Sequence, residues 1–595
     1  MSPLRVFVAL ASIAVCTTVL VAQPPMPAPA PLATSPGIRL IVPEQDTSIA
    51  FWPLYRLSAS ATPGCSVTLN GTAQKVYPSG AFAGALQLAV GENRYTLVAT
   101  DPSGRTATKE FLVIRRPPPQ STPPDSLTID PVMMEPHADL WLAAGDLLEV
   151  QCKGTPGCRV SCLEGIPLHE VAPADAGGLR GVYRGSYRVG PGDRVTERPL
   201  FFRLEDSAGN AFVRDAGVKV SMRGSDLPLV GVTRGMRTVL YCGLGDDRLG
   251  GANMQRLTQG VRLAITGRSG DLYRVRLSEG QEAWVDTGTV QLQPAGTFLP
   301  YSLTGNWNVY GDSLYDYVTV TLNDRLPYIG SQEMSPNRIV VDLYGAVSNS
   351  NWIIQQATVR EITNVTYRQA GRQVFRIMID LKHKQPWGYS ISYNGNTLVV
   401  QVRRQPEKLK IKALRFAIDA GHGGDQNGAL GSTGAKEKDV NLSTVLHLKE
   451  LLEDRGATVV LTRGDDTAVP MGARLNTALS SRADILVSVH SNSIGLTSNP
   501  EDTRGVSTYY KHIGYRPLSQ FILKRVMETG MPAYGNVGSF NFSLVAPTEL
   551  PDVLVELAYM SNPLDEMKLL DDGYRKELAR AIVRGIDDFL DWCDE

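Results

Sequence analysis

The chain carries almost no net charge. Lysine and arginine number 59 against 60 aspartates and glutamates in 595 residues, a formal charge of −1 at pH 7. That balance leaves no basic footprint for nucleic acid or an anionic membrane, and both are excluded as partners. Long apolar stretches are also scarce. The one that stands out, VFVALASIAVCTTVLVA at residues 6–22, is 17 residues long, at the low edge of the ~17–25 needed to span a bilayer. Arg5 precedes it and Ala22 ends it before a Pro/Ala-rich tract, the order of a secretory signal. An uncleaved anchor is the competing reading. Cys16 lies in the wrong context for lipidation, behind bulky Val15 and before further apolar residues.

Cysteine is sparse, at seven residues. The C-x5-C-x3-C run at Cys152, Cys158 and Cys162 is a poor zinc pattern. In an oxidising compartment it admits one disulfide, and free buried thiols are the alternative. Histidine is equally sparse, so each one can be weighed singly. A dinucleotide loop is excluded too, because the glycine turn GHGGDQ places Gln426 where G-x-G-x-x-G requires a third glycine.

The rest of the chain is long enough for about four or five domains. QPPMPAPAPLATSP, within 23–36, reads as an extended proline-rich spacer. Residues 37–115 alternate short apolar runs with turn signals, which predicts a β-sandwich, and RRPPPQSTPPDS closes it with a linker at 116–126. Residues 127–222 echo that module: ATPGCSVTLNG returns as GTPGCRVSCLEG, and ATDPSG as LEDSAG. The pair resembles the Ig-like spacers of bacterial cell-surface enzymes. Residues 228–296, with LTQGVRLAITG, LYRVRL and EAWVDT, resemble a bacterial SH3 barrel, and 297–406, with RIVVDLYG and IDLKHKQPWGYSI, resemble the all-β AMIN module. His137 and His169 stand isolated, so none of these modules shows a catalytic constellation.

From residue 412 to 595 the pattern switches to alternating strands and helices and predicts a three-layer α/β domain. Its first apolar run, with Leu414, Phe416 and Ile418, leads into a glycine-rich turn holding His422, and Glu437 heads the following helix, whose apolar stripe is Leu442, Val445, Leu446 and Leu452. ADILVSVHSNS reads as a buried strand ending on His490, and DVLVELAYMSN ends on Glu556. Open α/β sheets assemble their sites at the carboxyl ends of the strands. Two imidazoles and two carboxylates are therefore expected to converge there. Three ligands with one open position are the mark of a catalytic zinc site. Asn492, two residues past His490, either contacts substrate or caps a turn. His447 reads as a surface or supporting group, and His512, after the GVSTYY strand, as an exposed histidine with a substrate contact as the alternative.

The ordered motifs IDAGHGG, GAKEKDVNL, VVLTRGDD, ADILVSVHSNS, GVSTYY and LVELAYMSN resemble those of the zinc-dependent N-acetylmuramoyl-L-alanine amidases across the whole domain. The resemblance implies that His422, Glu437 and His490 bind Zn2+ and that Glu556 is the catalytic carboxylate. It implies a peptidoglycan hydrolase that cuts between N-acetylmuramic acid and L-alanine, exported to the periplasm or cell envelope. A monomer is expected, with the β modules free to engage cell-envelope proteins. Ala558, Tyr559 and the LVAP segment depart from the family pattern. A helical insert that covers the zinc in some members has no room here, since KHIGYRP alone separates the GVSTYY strand from the next helix. The competing classes are an inactive wall-binding scaffold and a zinc peptidase acting on another wall bond.

Overall fold

The computed structural model describes residues 35–163, 165–245 and 249–595. The secretory run, Cys16 and nearly all of the proline-rich spacer lie outside the described residues. Among the described residues up to 406 the regular elements are strands apart from two short 3-10 turns, and the C-terminal part combines helices with a sheet. Among the described residues no helix is long and apolar enough to cross a membrane.

In the first module a three-stranded sheet (Ile38–Val42, Leu54–Ala61, Ala81–Gln87) faces a five-stranded one across Leu57, Val67, Phe82, Leu97 and Val113. The echoed T-P-G-C turns occupy equivalent places. Ala61 N donates to Gly80 O at 2.9 Å in the first, and Gly154 N to Gly181 O at 2.8 Å in the second. All six described cysteines are free thiols, with Cys152 and Cys162 in the second module's core. The strand Leu140–Ala143 pairs parallel with Ala211–Gly224 and antiparallel with Arg262–Ser269, so one sheet runs on into the following module. The core continues likewise, since Leu240, Ile265 and Val285 share a cluster with Trp307, Phe375 and Val400.

The C-terminal sheet is built from β1 (Arg415–Ala420), β2 (Thr458–Leu461), β3 (Ile485–Asn492), β4 (Val506–Tyr509), β5 (Ala533–Val537) and β6 (Asp552–Tyr559). Their order is β2-β1-β3-β6-β4-β5, with β4 antiparallel to β6 and the pairs among β2, β1, β3 and β6 parallel. The helices are α1 (Glu437–Glu453), α2 (Met471–Ser480), α3 (Arg516–Met527), α4 (Pro563–Leu570) and α5 (Asp572–Asp594). Strand side chains alternate faces. Phe416, Ile418, Val487 and Val489 therefore meet α1, α3 and α5, whereas Ala417 and Leu486 meet α2 and the segment around Leu544 and Leu550.

One expectation shifts, and one helix, α4, was not expected. Val445 and Leu452 of α1 are buried, but Leu446 is 43% exposed. It lies 100° around the helix from Val445, and Val440 and Leu448 complete the buried stripe instead. Helix α4 carries no clear apolar period; its start is set by Asn562, whose side chain accepts from Leu564 N at 3.0 Å and Asp565 N at 3.3 Å.

Candidate metal centre

His422 sits where β1 gives way to the glycine turn, and it adopts a left-handed backbone, φ +62°. A non-glycine residue there costs about 1–2 kcal/mol and must be held by its surroundings. Arg474 of α2 supplies the hold. Its guanidinium donates to His422 O at 2.5 Å and Ala420 O at 2.6 Å and pairs with Asp419 at 2.8 Å, and Arg474, Ala420 and Asp419 are buried. Asp419 also accepts from Thr462 Oγ1 at 2.5 Å and Ser488 Oγ at 2.7 Å. Burial alone would raise the Asp419 carboxyl, but Arg474 and the other partners hold it below the usual range.

Glu437 opens α1 and is buried. Its oxygens accept from Ala429 N (2.7 Å), Ser491 N (3.0 Å) and Asn441 Nδ2 (3.1 Å). They also lie 3.2 Å from His422 Nε2 and 3.1 Å from His490 Nδ1. Burial pushes the carboxyl up, and the two imidazoles outweigh it and hold Glu437 well below the usual range. Two glycines make this approach feasible. A Cβ on Gly421 would lie 2.3 Å from the His490 ring, and one on Gly428 would lie 2.4 Å from Glu437 Oε2.

One ligand atom from each of His422, Glu437 and His490 lies within 4.8 Å of the others. This donor set, two imidazoles and a carboxylate, fits a divalent transition metal. The buried Nε2 of His490 has no hydrogen-bond partner and stands 4.0 Å from Asp419 Oδ2, the kind of carboxylate that orients a metal-bound imidazole. Phe542 packs edge-on against His490 at 5.6 Å.

Glu556 is paired in register with His490 across β3 and β6 and with Ser507 on β4. Side chains of residues directly opposite one another share a face, so Glu556 borders the cluster on the same side of the sheet as His490. Asn492 sits one strand position further on, its amide donating to Tyr509 OH at 3.2 Å and its Oδ1 accepting from Ser493 N at 2.8 Å. It thus belongs to a tyrosine-lined edge, where Tyr534 and Tyr559 are 5.4 Å apart. His447 bonds Asp572 at 3.0 Å on the surface of α1, away from the cluster. His512 is not exposed as expected: its Nε2 meets Ala546 O at 3.0 Å inside a junction with the β modules.

The sequence carried no signal for one further feature. Arg56 of the first module donates to Ser493 Oγ at 3.0 Å, Ile494 O at 3.1 Å and Leu430 O at 3.4 Å, and its backbone N to Leu496 O at 2.7 Å. Leu430 lies in the loop between His422 and Glu437, and Ser493 directly follows Asn492. Burial lowers the Arg56 guanidinium to about 10, against the pull of Glu566. Arg39 adds a bond to Thr433 O at 3.2 Å, and Tyr77 one to Glu501 at 2.8 Å. The first module therefore abuts the rim of the cluster.

The family profile for N-acetylmuramoyl-L-alanine amidase matches residues 416–588, and that of the AMIN domain matches residues 307–402. YqiI, an uncharacterized protein of Bacillus subtilis (strain 168), is 35% identical over 185 residues, 30% of this chain and 87% of YqiI. "Probable cell wall amidase LytH" of Staphylococcus aureus is 32% identical over 182 residues, 30% of this chain, and the match spans 60% of LytH's own length. Among solved structures, the catalytic domain of CwlV, N-acetylmuramoyl-L-alanine amidase from Bacillus(Paenibacillus) polymyxa var. colistinus, shares 34% identity. That match covers 30% of this chain and 98% of that one, with a TM-score of 0.28.

Proposed function

Because the chain belongs to the N-acetylmuramoyl-L-alanine amidase family, we infer that it is a peptidoglycan hydrolase cleaving the amide between N-acetylmuramic acid and the L-alanine of the stem peptide. The observation that carries this reading is the convergence of His422, Glu437 and His490 within 4.8 Å, with Glu556 in register beside His490.

His422, Glu437 and His490 would hold Zn2+. When bound, the ion supplies an acidified water, with a pKa brought from 15.7 to about 7, and polarises the scissile carbonyl. Glu556 takes the water proton and passes it to the leaving amine, two tasks one carboxylate can perform in succession. Asn492 and its tyrosine neighbours orient the substrate at the edge of the cluster. Asp419 and Arg474 fix the imidazoles and touch no substrate.

The facing sheets and echoed turns support two Ig-like sandwiches at 37–115 and 127–222. A small SH3-like barrel at 228–296 and the AMIN module at 297–406 follow, and helices on both faces of the C-terminal sheet support a three-layer α/β domain. Export to the periplasm or cell envelope, action as a monomer and contacts of the β modules with other envelope proteins go with this reading. Digestion of purified peptidoglycan by the zinc-loaded chain, read by mass spectrometry, tests it. Free stem peptides beginning at L-alanine are expected; new termini at another bond, or none, overturn it.

A further inference from the structure

A cavity of about 270 Å3 lies where the SH3-like segment, the AMIN segment and the catalytic domain meet. It is distinct from the metal cluster. His490 stands at the carboxyl end of β3, parallel to β6, whereas the cavity takes Glu549, just before β6 begins, and Lys511, just after antiparallel β4 ends. It therefore opens at the opposite end of the sheet.

Its charged lining is Arg237, Arg256, Lys511 and Glu549, with His512 beside them. The single acid is already engaged: Glu549 Oε1 lies 3.6 Å from Arg237, and Oε2 accepts from Thr548 N at 2.9 Å. Arg256 forms no side-chain hydrogen bond or salt bridge with any described residue. Lys511 gives one bond, to Asn253 O at 3.1 Å. Burial, with Arg256 beside it, pushes the ammonium down to about 8. Glu549 is the one acid of the lining against three cations, and its charge favours the Arg256 guanidinium, against burial and the Arg237 charge. Burial holds the His512 imidazole down at about 4, and burial with the Glu549 charge pushes the enclosed Asp552 carboxyl well above its usual range, against the pull of Lys511. Two like charges drawn partly out of water beside a single acid that Arg237 shares are costly.

We propose that this cavity is an anion site that takes a small oxyanion, a carboxylate or a phosphate, between Arg256 and Lys511. The planar guanidinium offers a bidentate fork and the ammonium a point charge, the pairing such an anion recruits. A volume several times the ~30 Å3 share of one water accommodates it with part of its hydration. The bound anion would join three modules, since Arg256 belongs to the SH3-like segment, Lys511 to the catalytic domain, and the floor is welded to the AMIN segment by Tyr389 N to Thr548 O at 2.7 Å.

Calorimetric titration and thermal melting of the full chain at pH 7 and fixed ionic strength, with inorganic phosphate in one arm and succinate in the other, test the proposal. A saturable heat and a rising Tm are expected in at least one arm. The tighter arm assigns the source, a phosphate-bearing polymer or the carboxylates of a stem peptide. Arg256→Gln should weaken binding about tenfold, and adding Lys511→Met by about tenfold more. Glu549→Gln, which removes the competing negative charge, should tighten it, an effect of opposite sign that a purely structural role would not produce. The absence of a saturable response in both arms, an Arg256→Gln chain that binds as tightly as the parent, or weaker binding by Glu549→Gln overturns the proposal.

Discussion

Arg56 Nη1 lies 3.0 Å from Ser493 Oγ, although the two residues are 437 positions apart. The first β module thus reaches the segment that follows His490, and through Leu430 O the loop that joins His422 to Glu437. Charged hydrogen bonds are worth about 1.5–3 kcal/mol each, more than a loose tether supplies.

Arg56→Met keeps the side-chain length and removes these donors. On a soluble muropeptide, too small to need wall binding, kcat should fall about tenfold while the chain stays folded by circular dichroism. An unchanged kcat would show that the contact only docks the module.

Glu556→Gln should abolish turnover and retain zinc, because the amide cannot accept the proton. His490→Ala should lose both. Metal content and peptidoglycan digestion of the two variants separate the roles, and full activity in Glu556→Gln would remove that residue from the mechanism. Chelation of the parent should lower its Tm, since metal at ~1,000 times its Kd adds about 4 kcal/mol.

Arg474 and Asp419 form a buried pair at 2.8 Å. Arg474→Met leaves a lone buried carboxylate and should cost about 3–5 kcal/mol in urea unfolding, with weaker zinc binding because the His422 turn loses its support. Arg474→Met with Asp419→Asn should recover part of the stability, and failure to do so would argue against the pair as the cause.

Trp387, from the AMIN segment, is 1% exposed and packs in the catalytic core against Phe589 at a ring distance of 6.2 Å. Trp387→Ala should cost about 3–5 kcal/mol. A fragment of residues 405–595 should melt lower than one of 385–595, and equal melting would mean the tryptophan is dispensable to that core. Only a 3-10 turn, Ile513–Tyr515, lies between β4 and α3, so 385–595 with zinc should release stem peptides without an activator. Silence until a partner is added would place an inhibitory contact elsewhere.

Most strands and helices of the C-terminal domain were legible in the sequence, because continuous apolar runs lead up to His490 and Glu556 and a glycine turn announces His422, whereas β5 and α4 were not. The β-rich character of the described residues between 35 and 406 was legible in alternating runs and turn residues. What only the tertiary structure decided involves contacts between distant segments, which leave no local period. Arg56 reads locally as one charge in a strand, Trp387 as one aromatic before a turn, and Lys511 and His512 as the start of an exposed loop. Their roles come from burial between modules, where a charge must find its partner across the fold and a single hydrogen bond can join positions hundreds of residues apart.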